Sequence, residues 1–100
     1  MDTMDTAEEL AKLLRVLSNS VRLKILALCL EERSSKEIRE ILGLSKPLFI
    51  SHMKKLLNSG LISCKVKRLD GKAVKYYRTV NFEICCSTEI LKDILEEIYL

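Results

Sequence analysis

Both ends of one helix are written into the stretch Ser45–Gly60, SKPLFISHMKKLLNSG, and this constrains the fold more than any other feature of the chain. Ser45 is a good N-cap, because a hydroxyl accepts a hydrogen bond from an otherwise unpaired backbone N–H. Pro47 falls in the first turn, where a missing N–H costs nothing. Gly60 can take positive φ at a helix C-terminus and so ends it. Between these signals Phe49, Met53, Leu56 and Leu57 follow i, i+4, i+7, i+8 spacing and predict one apolar stripe. Leu48, Ser51, His52 and Lys55 fall on another face, with Lys46 at the helix start. What that second face does depends on its surroundings.

The charge around it is uneven. Residues 1–43 carry seven Lys/Arg against eight Asp/Glu, residues 44–80 nine against one, and residues 81–100 one against five. A net +8 is thus confined to one block within a chain whose total is +3. Local asymmetry of this kind is the electrostatic footprint of a polyanion-binding surface. The alternative is a solvated basic face without a partner.

The segment before this helix supplies context. Residues 6–17 pair Thr6 with Glu9 at capping-box spacing, and Leu10, Leu13, Leu14 and Leu17 make a helical stripe. Ser18–Asn19–Ser20 break it and can cap the next helix. Val21–Glu31 is apolar round most of its circumference, which predicts a central core helix. Ser34 and Glu37 form a second capping box, leading a short helix with Ile38, Ile41 and Leu42 that stops at Gly43. A short helix, a tight Gly-containing turn and a second helix with a polar face make the helix-turn-helix pattern. In that motif the second helix enters the major groove and its N-terminal residues meet base edges.

After Gly60 the period changes to two. Ile62, Cys64 and Val66 alternate with Ser63, Lys65 and Lys67; Val74, Tyr76 and Arg78 alternate with Lys75 and Tyr77. Two strands are expected, joined at Asp70–Gly71. A two-residue loop sets Lys65 opposite Tyr76. A three-residue loop, Leu69–Asp70–Gly71, sets Cys64 opposite Tyr76 and Val66 opposite Val74, and is preferred because it keeps the apolar set on one face. Lys65, Lys67, Lys72 and Lys75 are then outward charges, with Arg68 near the tip. From residue 88 to residue 100, Ile90, Leu91, Ile94, Leu95, Ile98 and Tyr99 form a wide apolar stripe. It needs a surface to lie against, either the first helix or the terminal helices of a second copy.

The expected architecture is therefore mainly α with a β-hairpin (α+β), in the order α-α-α-α-β-β-α, as a single domain over residues 1–100. At 100 residues and 48% apolar composition the chain can build one core. No apolar run spans a bilayer, and the acidic N-terminal segment does not read as a signal peptide, so a cytoplasmic location and no membrane partner are expected. No phosphate-binding glycine loop, HExxH run or nucleophile with a plausible base is present, so neither catalysis nor a cofactor is expected.

His52, the one histidine, reads as a hydrogen-bond contact to a phosphate or base, the alternative being a surface or partly packed side chain with no ligand; a lone His makes a poor zinc site, and no metal site is assigned. Lys46, Lys55, Lys65, Lys67, Arg68, Lys72 and Lys75 are candidates for phosphate contacts, which orient but carry little sequence information. Base reading falls to Leu48, Ser51 and His52, and Lys54 lies toward the flank. Cys29 and Cys64 read as core. Cys85 and Cys86 are adjacent; inert thiols, a disulfide or redox pair, and a metal or metalloid site shared with a second subunit all stay open.

Three runs resemble one family. LRVLSNSVRLKILALC is similar to the helix-loop-helix start of ArsR-type transcriptional regulators. EIREILGLSKPLFISHMKKLLNSGLI resembles their helix-turn-helix, and DGKAVKYYRTV their wing, with wording closest to archaeal members. The likeness covers about residues 10–80. It implies a winged helix-turn-helix and a sequence-specific double-stranded DNA-binding regulator, expected to be a repressor, acting as a homodimer. Ser45, Lys46, Leu48, Ser51, His52 and Lys55 would lie on the recognition helix. Lys65, Lys67, Arg68, Lys72 and Lys75 would lie in the wing. The first helix (about 6–17) and last helix (about 88–100) would dimerise through Leu10, Leu13, Leu14, Leu91, Ile94, Leu95 and Ile98. Where metal-sensing members carry cysteines before the helix-turn-helix this chain has Ser34 and Lys36, and its last helix has no His, so metal response is not implied and no effector is assigned. The alternative is a winged helix used as a protein-interaction module, with only non-specific nucleic-acid affinity.

Overall fold

The computed structural model describes residues 5–100. Helix α1 spans Thr6–Leu17, α2 Ser20–Leu28, α3 Ser35–Leu42, α4 Lys46–Asn58 and α5 Thr88–Ile98; strands are β1 Arg33–Ser34, β2 Ile62–Leu69 and β3 Lys72–Thr79. The expected order holds, with β1 added. That two-residue strand pairs antiparallel with β3, giving a sheet of order β1-β3-β2. It is too short to show period-2 patterning, so only the folded hairpin edge reveals it.

Local chemistry explains most helix ends. Asp5, rather than Thr6, caps α1, accepting from Glu8 N at 2.8 Å. Thr6 N is thereby left among the unpaired donors of the first turn, and it donates instead to the Glu97 carboxylate at 3.1 Å. Asn19 caps α2, which stops at Leu28, three residues short of the expected Glu31. The Ser34–Glu37 capping box forms as read. Gly43 ends α3 at φ 63°, ψ 36°, a left-handed conformation that suits glycine and turns the chain into α4. Ser45 caps α4, with Pro47 in the first turn.

The core gathers Ile25, Leu26 and Cys29 from α2, Ile38 from α3, Phe49, Met53 and Leu56 from α4, then Leu61, Ile62 and Tyr77 from the hairpin base. Phe49 and Tyr77 meet edge to face at 5.9 Å. Leu57, expected in the α4 stripe, is exposed instead, because it lies at the far margin of the face that Leu56 centres. The base of β3 is tied to α2 by Thr79 N to Cys29 O at 2.8 Å and Thr79 Oγ1 to Leu26 O at 2.7 Å.

The hairpin register corrects the expectation. Cys64 faces Tyr77, Lys65 faces Tyr76 and Leu69 faces Lys72, so the loop is the two-residue Asp70–Gly71. Both loop residues have positive φ, 51° and 76°. That is the requirement of a type I′ turn, whose twist matches the strands. Beyond Ile62 every residue of β2 is exposed, so no core enforces the apolar pairing that favoured the longer loop. Turn geometry sets the register instead. In consequence Tyr77, not Tyr76, enters the core, and Cys64 is exposed rather than buried. Lys75 shares a face with Val66 and Arg68, opposite to the face of Lys65, Lys67 and Lys72.

The molecule is elongated, 58 × 29 × 23 Å, with a radius of gyration of 16.7 Å against about 13 Å for a compact chain of this length. Helices α1 and α5 pack together at one end, and neither buries a residue fully.

Candidate nucleic-acid interface

Helix α4 turns one face into the core and presents the other to solvent. Leu48, Ser51 and Lys55 are exposed on that outer face, and Lys46 is exposed at its start. Lys54, read from sequence as a flank residue, is also exposed and sits one turn from Ser51. Ile50 and Leu48 are both large exposed apolar side chains on this helix. Ile50 escaped the sequence reading because only the core contacts of Phe49 and Met53 fix where the outer face begins. The hydroxyl of Ser45 is occupied by capping, accepting from Leu48 N at 3.4 Å.

His52 differs from its neighbours. It is half-buried, and its Nδ1 lies 3.2 Å from Nη1 of Arg22 on α2. Arg22 is only 7% exposed and has no carboxylate partner among the described residues. Its Nε donates to Val16 O at 2.6 Å and its Nη2 to Arg15 O at 3.3 Å. Those carbonyls belong to the last turn of α1, where helix C=O groups lack intrahelical partners and the helix dipole is negative. The C-terminus of α1 thus stands in for a counter-ion, and one guanidinium joins α1, α2 and α4. Burial first, then Arg22 and Lys55, hold His52 below the ordinary histidine pKa, so the ring is neutral near pH 7. A run of sequence read alone gives no sign of the pair, since its members are thirty positions apart.

The hairpin projects as a wing. Lys65, Arg68, Lys72 and Lys75 are exposed along it. Lys67 is engaged: its ammonium bonds the Glu32 carboxylate and lies 4.7 Å from the centre of the Tyr76 ring. That bond from Lys67 holds the Glu32 carboxyl below its usual range. Lys67 therefore straps the sheet, reaching across β3 to the loop before β1.

At the other end, Leu14, Leu91, Leu95 and Ile98 are exposed, Ile98 to 70%. Leu10, Leu13 and Ile94 are partly covered. Leu10 and Leu13 line a groove with Ile84, Cys85 and Ile90 of the same chain. Cys64, Cys85 and Cys86 are free and exposed, while Cys29 is buried and its thiol is pushed up to about 11 by desolvation. Among the described residues no three His, Cys, Asp or Glu side chains cluster as a metal site, and no helix is long and apolar enough to cross a membrane.

A helix-turn-helix with a solvent-facing second helix and a basic antiparallel wing defines the winged-helix class of DNA-binding proteins. Residues 19–63 match the family described as bacterial regulatory protein, arsR family. The chain is 27% identical over 89 residues to the uncharacterized HTH-type transcriptional regulator MJ0229 of Methanocaldococcus jannaschii, covering 88% of this chain and 94% of that one. Among solved structures, NolR from Sinorhizobium fredii superposes with a TM-score of 0.63 at 28% identity, covering 99% and 97% of the two chains. Reduced HlyU from Vibrio cholerae gives 0.63 at 26% identity, covering 93% and 90%. The transcriptional repressor BigR from Xylella fastidiosa gives 0.59 at 27%, covering 94% and 89%. Over residues 19–63 the chain thus resembles the ArsR family of winged-helix transcriptional regulators. The matched family and the superposed structures are those of transcriptional regulators.

Proposed function

We propose that this protein is a cytoplasmic, non-catalytic, sequence-specific repressor that binds a two-fold symmetric duplex site as a homodimer. One observation carries the reading. Residues 44–80, which hold nine Lys/Arg and one acid, fold into the outer face of α4 and the wing, where these cations are exposed. Lys46, Lys55, Lys65, Arg68, Lys72 and Lys75 supply phosphate contacts, and Leu48 and Ser51 meet base edges beside His52. Repression is supported by the likeness to BigR, itself a transcriptional repressor. The whole chain serves as one domain, and its second copy covers Leu14, Leu91, Leu95 and Ile98, with Leu10, Leu13 and Ile94 beneath. Sixteen large apolar side chains are exposed among the described residues of the single chain, several of them on α5, and a homodimer removes that face from water.

The test is a competition assay on operator fragments selected from the source genome. Specific complexes are expected to survive excess random duplex and to weaken steeply with salt. Complexes that random duplex removes entirely would refute sequence-specific binding. A double variant, Lys55→Ala with His52→Ala, is expected to lose operator affinity; unchanged affinity would show that the reading face is elsewhere.

A further inference from the structure

The two ring nitrogens of His52 have different fates. Nδ1 faces Arg22 Nη1 at 3.2 Å. A guanidinium carries five N–H donors, no acceptor, and keeps its charge, so Nδ1 must be the acceptor and carries no proton. In a neutral imidazole the proton then sits on Nε2. Arg22 has little freedom to release the ring, because Val16 O and Arg15 O hold its other nitrogens. Among the described residues Nε2 has no partner, and no buried side-chain nitrogen or oxygen there lacks one. Nε2 therefore reaches solvent. It does so from α4, beside Ser51, four residues after Leu48 and three before Lys55, on the helix that carries the outward face.

We infer that His52 is a base reader of fixed polarity: Nε2–H donates to a hydrogen-bond acceptor in the major groove, and the Arg22–Nδ1 bond prevents the ring from offering an acceptor there. The inference rests on the DNA-binding reading above and adds what one position of the site must present. Guanine O6 and N7, adenine N7 and thymine O4 accept such a donor, whereas cytosine shows only its N4 amino donor. Cytosine on the contacted strand is therefore excluded at one position of each half-site. A base edge fits better than a phosphate, because phosphate contacts gain from releasing counterions and a neutral ring releases none. The groups facing the ring are Arg22 from α2 and Lys55 from α4 itself, and both disfavour a second proton on it.

Two measurements test this. Long-range nitrogen–proton spectra of the free 15N-labelled protein at pH 7 are expected to show His52 with its proton on Nε2 and a bare Nδ1. A proton on Nδ1, or a charged ring, would overturn the inference without reference to DNA. The second measurement compares base preferences selected from random duplexes by the wild type, His52→Gln and His52→Glu. Glutamine can accept from Arg22 through Oε1 and still present an N–H, so its preference is expected to match the wild type. Glutamate pairs with Arg22 and presents an acceptor, so at one position per half-site the selected base is expected to switch to cytosine or adenine, by about tenfold or more. Uniform weakening by glutamate with no switch at any position would mean a phosphate contact and would overturn the inference while leaving the repressor reading intact. A wild type that selects no sequence would overturn both.

Discussion

Arg22 offers the sharpest test of how this fold holds helix α4. Arg22→Met keeps an unbranched apolar stem and removes three donated hydrogen bonds, to Val16 O at 2.6 Å, Arg15 O at 3.3 Å and His52 Nδ1 at 3.2 Å. Arg15 O keeps a second donor, Ser18 Oγ at 3.0 Å, whereas Val16 O is paired by Arg22 alone. A hydrogen bond to a charged group contributes about 1.5–3 kcal/mol net. Counting the short bond in full, the two long ones in small part, and the relief of an unneutralised buried charge against them, the loss is about 3 kcal/mol. Total stabilities of about 5–15 kcal/mol make that a large fraction. The midpoint temperature should fall by roughly 10–25 °C. Urea unfolding followed by circular dichroism measures it, and a loss below about 1 kcal/mol at unchanged slope would refute the role assigned to the guanidinium. A double-mutant cycle with His52→Ala should return a coupling of about 1 kcal/mol, and additive effects would mean that the pair is not bonded in solution.

Other outcomes follow from the same contacts. The folded pKa of His52 lies below the ordinary histidine value of 6.5, so the unfolded chain takes up the proton first; stability should fall as pH drops through 6.5 toward the folded value, and titration melts of His52→Gln should lack that component. Leu56→Ala, at a fully buried site, should cost about 2–5 kcal/mol in denaturant unfolding, and a loss under 1 kcal/mol would contradict the core described. Lys72→Ala should reduce the slope of log affinity against log salt by about 0.9, while Lys67→Ala, whose ammonium is engaged by Glu32, should change it less; equal slopes would deny Lys67 its strap role. Iodoacetamide at pH 7.5 should label Cys64, Cys85 and Cys86 in the native protein and spare Cys29, as mass spectrometry of the peptides would report. Leu95→Glu with Ile98→Glu should turn a dimer into a monomer in sedimentation; a dimer of undiminished affinity would place the interface elsewhere.

Local signals carried much of the architecture. The helices of the helix-turn-helix were legible because their caps, Ser34 with Glu37 and Ser45 with Pro47, act over three or four residues and need no distant partner. The turn at Gly43 belongs to the same class, since glycine takes positive φ without steric cost, and Asp70–Gly71 marked where the hairpin turns, though not its loop length. The basic block was equally visible, because charge is additive along the chain. What stayed hidden were choices that contacts make between equally allowed local states. Strand pairing could satisfy either register by pattern, and the turn chose the one that sends Tyr77 inward and leaves Tyr76 under Lys67. Strand β1 exists because the edge of β3 is there to pair with it.

His52 draws the line most clearly. Its place on the outer half of α4 follows from the 3.6-residue period of one segment. Which of its nitrogens bears the proton does not, because that depends on an arginine thirty residues away, held in turn by the open end of α1. Sequence alone determined that this chain has a capped helix with a basic face, preceded by a tight turn and followed by a hairpin. Only tertiary structure decided how that helix is held and what its histidine can offer, since hydrogen-bond polarity belongs to the pair of groups that meet and not to either residue.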